Sequence, residues 1–311
     1  NVLTRQTAAG GHIKPEGPFN LAAQRNLAAK LMERMGFDFD HGRLDISLHP
    51  FCGGVPDDVR VTTRYEENEF VQSLMGVFHE TGHAMYERGL PVNWRLQPVG
   101  RARGMALHES QSLLVEMQVC RGIEFLNFAA PIIQKAFKGK GDAWLPENMQ
   151  RLQAHVEPGL IRVDADEVTY PAHIILRYRL ERALIAEDIE VADLPSAWDE
   201  AMRELLGIVP NSDRDGCMQD IHWFGGSFGY FPTYTMGALA AAQIYHAACE
   251  ANGNITSAIA EGNFMPLMSW LRMNIHSKGS FGSTDEILVE ATGIPLGTEA
   301  FKSHLSARYL H

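Results

Sequence analysis

No two cysteines in this sequence stand close enough to make a metal knuckle: Cys52, Cys120, Cys217 and Cys249 are widely spaced, and no CxxC pair occurs. That excludes a cysteine-built zinc finger and a disulfide scaffold. The 4 thiols read instead as reduced structural residues of a cytoplasmic protein. Cationic charge is also scarce. Lys and Arg total 27 against 38 Asp and Glu, a formal net charge of -11, so the concentrated basic face that a nucleic-acid partner needs is missing. No apolar run reaches the roughly 18 residues required to cross a bilayer, so no membrane partner is expected. The opening NVLTRQTAAGGHIKPEG lacks the basic-then-apolar layout of a secretory signal. With 45% hydrophobic and 21% charged residues, the 311-residue chain can form one large domain or two lobes around a cleft.

Strand patterns are equally sparse. Two short alternating runs, Arg43–His49 and Val59–Tyr65, read as a strand pair with Cys52-Gly-Gly-Val-Pro56 between them. Elsewhere a 3.6-residue period dominates. It runs over 19–35, where Leu21, Leu27, Leu31 and Met35 recur and Gly36 marks a stop, and over Glu67–Arg88. Further helices are expected at 103–136, 146–155, 168–188, 196–206, 233–250, 263–276, 284–292 and 298–309. Pro146 and Pro195 suit first-turn positions, and Ser283-Thr-Asp-Glu286 has the form of a capping box. The expected class is mainly α with a small β-sheet.

The sharpest chemical signal is His79-Glu80-Thr81-Gly82-His83, inside one helical run. Residues four apart on a helix share a face, with Cβ atoms about 6 Å apart, so two imidazoles at that spacing can grip one tetrahedral ion. Glu80 falls between them, placed to reach an attacking water rather than the metal. A catalytic zinc needs a third protein ligand and one open position. Glu109, in Leu107-His-Glu-Ser-Gln111 at the start of a second helix, is the leading candidate, and Glu116, two turns further along, is its rival.

With these residues in view the sequence resembles the carboxypeptidase Taq family of metallocarboxypeptidases. The matching segments, in order, are Asp58-Val-Arg60-Val-Thr62, His79–His83, His108-Glu-Ser-Gln111, Ile161-Arg-Val-Asp-Ala-Asp166 and Gly216-Cys-Met-Gln-Asp-Ile-His-Trp223. His49-Pro-Phe51 and Gly229-Tyr-Phe-Pro-Thr-Tyr234 support them. The resemblance implies a zincin-type helical domain around a long cleft, akin to neurolysin and angiotensin-converting enzyme, here a single catalytic domain over residues 1–311. It implies zinc held by His79, His83 and Glu109, with cobalt or manganese as substitutes, and Glu80 as general base. Family members carry further helices ahead of the position where this chain begins, and those contribute to a homodimer; the resemblance leaves a homodimer open here.

The implied activity is release of single residues from peptide C-termini. That requires a grip on a free α-carboxylate, and a guanidinium binds one in two-pronged fashion. Arg162 is the leading candidate; the alternative pairs it with Asp164 or Asp166 as a structural bridge. His222 could hydrogen-bond the scissile carbonyl or the terminal carboxylate, or be a core histidine satisfied by Asp220. Tyr230 and Tyr234 could each donate a phenol to the oxyanion, with Tyr234 favoured by family spacing, and His108 could line the cleft. Asp58 and Arg60 sit on the second strand, either along an exposed edge that pairs with substrate or fixing the strand against the metal helix. The rival functions are a zinc endopeptidase or dipeptidyl carboxypeptidase, and a non-catalytic peptide-binding scaffold that keeps a structural metal.

Overall fold

The computed structural model describes residues 2–8, 11–48 and 50–310. The chain divides into two compact units, each assembled from separated stretches. The larger comprises Gly11–Gln153 and Gly237–Lys302; the smaller comprises Asn1–Gly10, Ala154–Met236 and Ser303–His311.

In the larger unit, Leu21–Met35 ends at Gly36, and its buried residues Leu27, Leu31 and Met35 follow the expected period. The small sheet has three strands, β1 (Gly42–Ile46), β2 (Phe51–Val55) and β3 (Asp58–Thr63), in the order β1-β3-β2. Cys52–Val55, expected as the connection of a strand pair, is therefore itself a strand, antiparallel to β3, while β1 runs parallel to it. His49 of the first expected run lies outside the described residues. Val59 and Val61 of β3 are buried, and β3 packs against the helix that carries His79 and His83, here called the histidine helix (Val71–Gly89). An aromatic cluster closes the other side: Phe70 lies 4.8 Å from Phe19, 4.7 Å from Phe137 and 5.8 Å from Trp144 between ring centroids.

The expected run over 103–136 is three elements rather than one. Gly104–Leu113 continues into a π-helical turn, Leu114–Cys120, and after Gly122 the helix restarts as Ile123–Phe137. A π turn holds one residue more than an α turn, so side chains beyond it are rotated off the simple 3.6 period. Two short helices that periodicity did not reveal, Val2–Ala8 and Ile255–Ala260, are also present. Ser283 and Glu286 form the anticipated reciprocal cap, and helices begin at Pro146 and at Leu194 just before Pro195.

The smaller unit is built on Tyr170–Ile185 and Leu194–Leu206, whose Leu176, Leu180, Trp198, Met202 and Leu206 form its core with Cys217. Its first and last stretches are tied in by polar contacts. Gln6 exchanges hydrogen bonds with the Val156 backbone at 3.0 and 2.7 Å. Buried Glu167 accepts from Arg308 at 2.9 and 3.0 Å and from the Tyr309 hydroxyl at 2.7 Å. No helix among the described residues is long and apolar enough to cross a membrane.

Candidate metal centre

The histidine helix is pinned into the larger unit by buried Leu74, Val77, Phe78, Ala84 and Met85. His79 and His83 lie one turn apart on its remaining face, with ring centroids 5.0 Å apart. Glu109 comes from Gly104–Leu113, and what allows it near is the absence of a side chain at Gly82. A Cβ there would meet the Gln111 carbonyl oxygen at 2.4 Å and the Ser112 Cα at 2.6 Å, so the two helix backbones touch beside the histidines. Gly237 does the same behind Glu109, where a Cβ would lie 2.8 Å from both its Cβ and its Cγ.

The result is a convergent donor set. Nε2 of His79 is 3.7 Å from one Glu109 oxygen and Nε2 of His83 is 3.5 Å from the other, with all three donor atoms within 4.8 Å of one another. Tetrahedral zinc with bonds of about 2.0–2.2 Å needs donors about 3.3–3.5 Å apart, so His79, His83 and Glu109 fit such an ion with small adjustment. The electrostatics agree. Burial alone would lower His79, but Glu109, Glu116 and Glu80 outweigh it and raise the imidazole to about 10. Burial lowers His83 to about 4 against the pull of Glu109, so that ring stays neutral. Without an ion the three carboxylates favour positive charge on His79, the same sign that a divalent cation would bring to the donor set.

The outer nitrogens of both rings are engaged. His79 Nδ1 is 2.9 Å from Glu116, whose other oxygen accepts from Arg121 at 2.6 Å. Glu116, the rival third ligand, therefore faces the back of His79 rather than the donor set, and it stands in the π turn. His83 Nδ1 is 2.6 Å from His108 Nδ1, and His108 Nε2 is 2.8 Å from Glu87. Glu80 is buried beside them; burial raises its carboxyl, opposed by His79 and reinforced by Glu109 and Glu116. A carboxylate so placed is a better proton acceptor than an exposed one.

Arg162, His222, Tyr230 and Tyr234 belong to the smaller unit, where the structure brings them together. Arg162 donates through Nε and Nη2 to one Asp220 oxygen at 3.0 and 2.7 Å, and its guanidinium lies 4.7 Å over the Tyr234 ring. Its partner is neither Asp164 nor Asp166; the latter instead accepts from the Val168 and Thr169 amides in the turn that precedes the next helix. The second Asp220 oxygen accepts from Arg177, a fully buried side chain that no sequence motif pointed to. Burial would raise the Asp220 carboxyl, but the two guanidiniums hold it below the ordinary carboxylate range. His222 is not satisfied by Asp220, which stands 3.8 Å away; its Nε2 pairs with the Tyr234 hydroxyl at 3.0 Å. Burial, then the nearby Arg162, lowers His222. Tyr230 packs against the same pair, tilted 5.4 Å from His222 and edge-on 5.5 Å from Tyr234.

The edge expected on the second strand is absent. β3 is the central strand, hydrogen-bonded on both sides, so its backbone has no free edge for a peptide. Asp58 and Arg60 bond one another at 2.6 Å on its exposed face, pointing away from the buried Val59 and Val61.

The family model for the carboxypeptidase Taq (M32) metallopeptidases matches residues 2–309. Thermostable carboxypeptidase 1 of Thermus thermophilus is 42% identical over 293 residues, 94% of this chain and 57% of that protein. Carboxypeptidase 1 of Bacillus subtilis is 36% identical over 313 residues, 99% of this chain and 62% of that one. Among solved structures, Trypanosoma cruzi metallocarboxypeptidase 1 superposes with a TM-score of 0.97 at 44% identity, covering all of this chain and 65% of its own. The chain thus spans less than two thirds of the length of each of these relatives. A match this continuous, with the His-Glu-His helix and Glu109 folded together, means that the chain belongs to the carboxypeptidase Taq (M32) metallopeptidase family.

Proposed function

We propose that the protein is a zinc-dependent metallocarboxypeptidase that hydrolyses the last peptide bond of a peptide to release single amino acids. The observation that carries this reading is the convergence of His79, His83 and Glu109 with a buried, base-competent Glu80 at their side. The family and its named carboxypeptidase relatives support the substrate class. When bound, the ion would be held by His79, His83 and Glu109 and would supply Lewis-acid activation of the scissile carbonyl and the attacking water. Glu80 takes the proton of that water and hands it to the leaving amine. Raising the Glu80 carboxyl favours both halves of the task, because a base that is too acidic returns no proton.

Carboxylate recognition is assigned to Arg162. Asp220 and the Tyr234 ring hold its guanidinium in one plane, and Nη1 has no partner among the described residues. Tyr234, with its hydroxyl already oriented by His222, is assigned to the developing oxyanion. Unpaired thiols at Cys52, Cys120, Cys217 and Cys249 support a cytoplasmic setting.

The test compares a blocked peptide with its C-terminal amide, using metal-loaded and chelator-treated protein. Metal-dependent release of one residue at a time from the free acid alone is the expected result. Cleavage of both peptides at an internal bond would establish the endopeptidase instead.

A further inference from the structure

The inner nitrogen of each histidine faces Glu109, so each ring must carry its proton on the outer nitrogen to offer a lone pair inward. For His79 the outer acceptor is a carboxylate, Glu116, neutralised in turn by Arg121. His83 has no carboxylate behind it. Its outer nitrogen meets His108 Nδ1 at 2.6 Å, and only one of those two nitrogens can hold the proton. If His83 donates, His108 Nδ1 accepts, and the His108 proton must sit on Nε2, where Glu87 lies 2.8 Å away to receive it. One placement of the two protons satisfies all three groups.

We infer that His108 is a positioning residue for the metal rather than a substrate contact: it fixes the tautomer and tilt of His83 through a His83–His108–Glu87 relay. Two further features hold the relay still. His108 shares its helix with Glu109, so a single rigid element delivers the third ligand and the second histidine's support. Tyr86 packs edge-on to the His108 ring at 5.2 Å, and its hydroxyl accepts from the Arg103 amide just before that helix. Glu87 lies one turn beyond His83, so the histidine helix both begins and ends the relay. Outer partners of metal-bound histidines are commonly worth about 10–100-fold in metal affinity.

The inference rests on the metal-site reading above, and its test needs no peptide. Cobalt(II) affinity is measured by chelator competition, with the visible absorption of the bound ion as a second signal. His108→Ala is expected to weaken cobalt binding about 10–100-fold and to alter the spectrum. His108→Asn, whose side-chain oxygen can accept from His83, is expected to recover much of that loss. Glu87→Gln removes the terminal charge and is expected to cost about tenfold. Unchanged cobalt affinity and spectrum in His108→Ala, with a raised KM for peptide, would overturn the relay and restore the substrate role. Should His108→Ala fail to fold, Glu87→Gln decides: unchanged affinity refutes the relay, a loss supports it. A wild-type protein that binds cobalt by this relay and cleaves nothing would refute the carboxypeptidase reading alone.

Discussion

Gly82 and Gly76 lie on the same helix, and changing each to alanine should act in opposite directions. Neither needs a positive φ, so both substitutions gain about 1 kcal/mol of helix propensity. At Gly76 the new methyl would meet only the Pro50 Cγ, at 4.0 Å, and the gain stands. At Gly82 it would meet the Gln111 carbonyl oxygen at 2.4 Å and the Ser112 Cα at 2.6 Å, and neither is a side chain that can swing away. Overpacking costs about 1–3 kcal/mol, here at the upper end because backbone must move, leaving a net loss of about 2 kcal/mol. The two variants should therefore differ by about 3 kcal/mol, or roughly 6–12 °C in Tm at 2–4 °C per kcal/mol. Relief at Gly82 also pushes Gly104–Leu113 away by about 1 Å, carrying Glu109 with it, whereas coordination tolerates only about 0.2 Å. Metal affinity should drop at least tenfold in Gly82→Ala and stay constant in Gly76→Ala. Thermal melts and chelator competition read both effects. Equal Tm and equal affinity in the two variants would refute the claim that helix contact at Gly82 builds the site.

Glu80→Gln keeps the shape and the donor set while removing the base, so it should bind metal as the wild type does and lose about 10²–10⁴-fold in kcat. Full turnover in that variant would sink the proposed mechanism. Stability should also fall in acid. Burial pushes His276 down to about 3, its Nε2 donates to Gln111 at 3.0 Å, and Nδ1 is buried without a partner. The folded value lies below the unfolded one near 6.5, so this stability is complete above pH 6.5 and is lost as pH falls towards 3, by up to about 1.4 kcal/mol per pH unit. His276→Gln should be less stable at pH 7 yet show a smaller drop in urea midpoint between pH 7 and pH 5; an unchanged drop would clear His276 of the effect. His173, lowered to about 4, mainly by burial, leaves a residual slope in both proteins.

The helix that bears His79 and His83 was legible because its period, its buried apolar positions and its His-Glu-His spacing all point to one element. Glu87 was legible in principle: His79, His83 and Glu87 form an i, i+4, i+8 series on one face. Glu116 was seen but could not be placed, because the π turn shifts its direction and no helical wheel anticipates that turn. Arg177 was missed for a different reason. A guanidinium in a helix interior reads as a solvated face, and only the fold reveals Asp220, 43 residues away, lodged between it and Arg162. The strand order failed on similar grounds, since β1 and β3 pair in parallel around an intervening strand whose Gly53 and Gly54 look like a turn.

The interleaving of the two units also orders events during synthesis. His79, His83 and Glu109 leave the ribosome close together, but the backing of Glu109 waits for Gly237, on the far side of the stretch 154–236. The smaller unit waits longer still, until Arg308 arrives to neutralise Glu167 and Tyr309 to donate a hydrogen bond to it. A nascent chain therefore presents the candidate donor set before either unit can close, and metal captured at that stage would template the larger unit rather than fill a finished one.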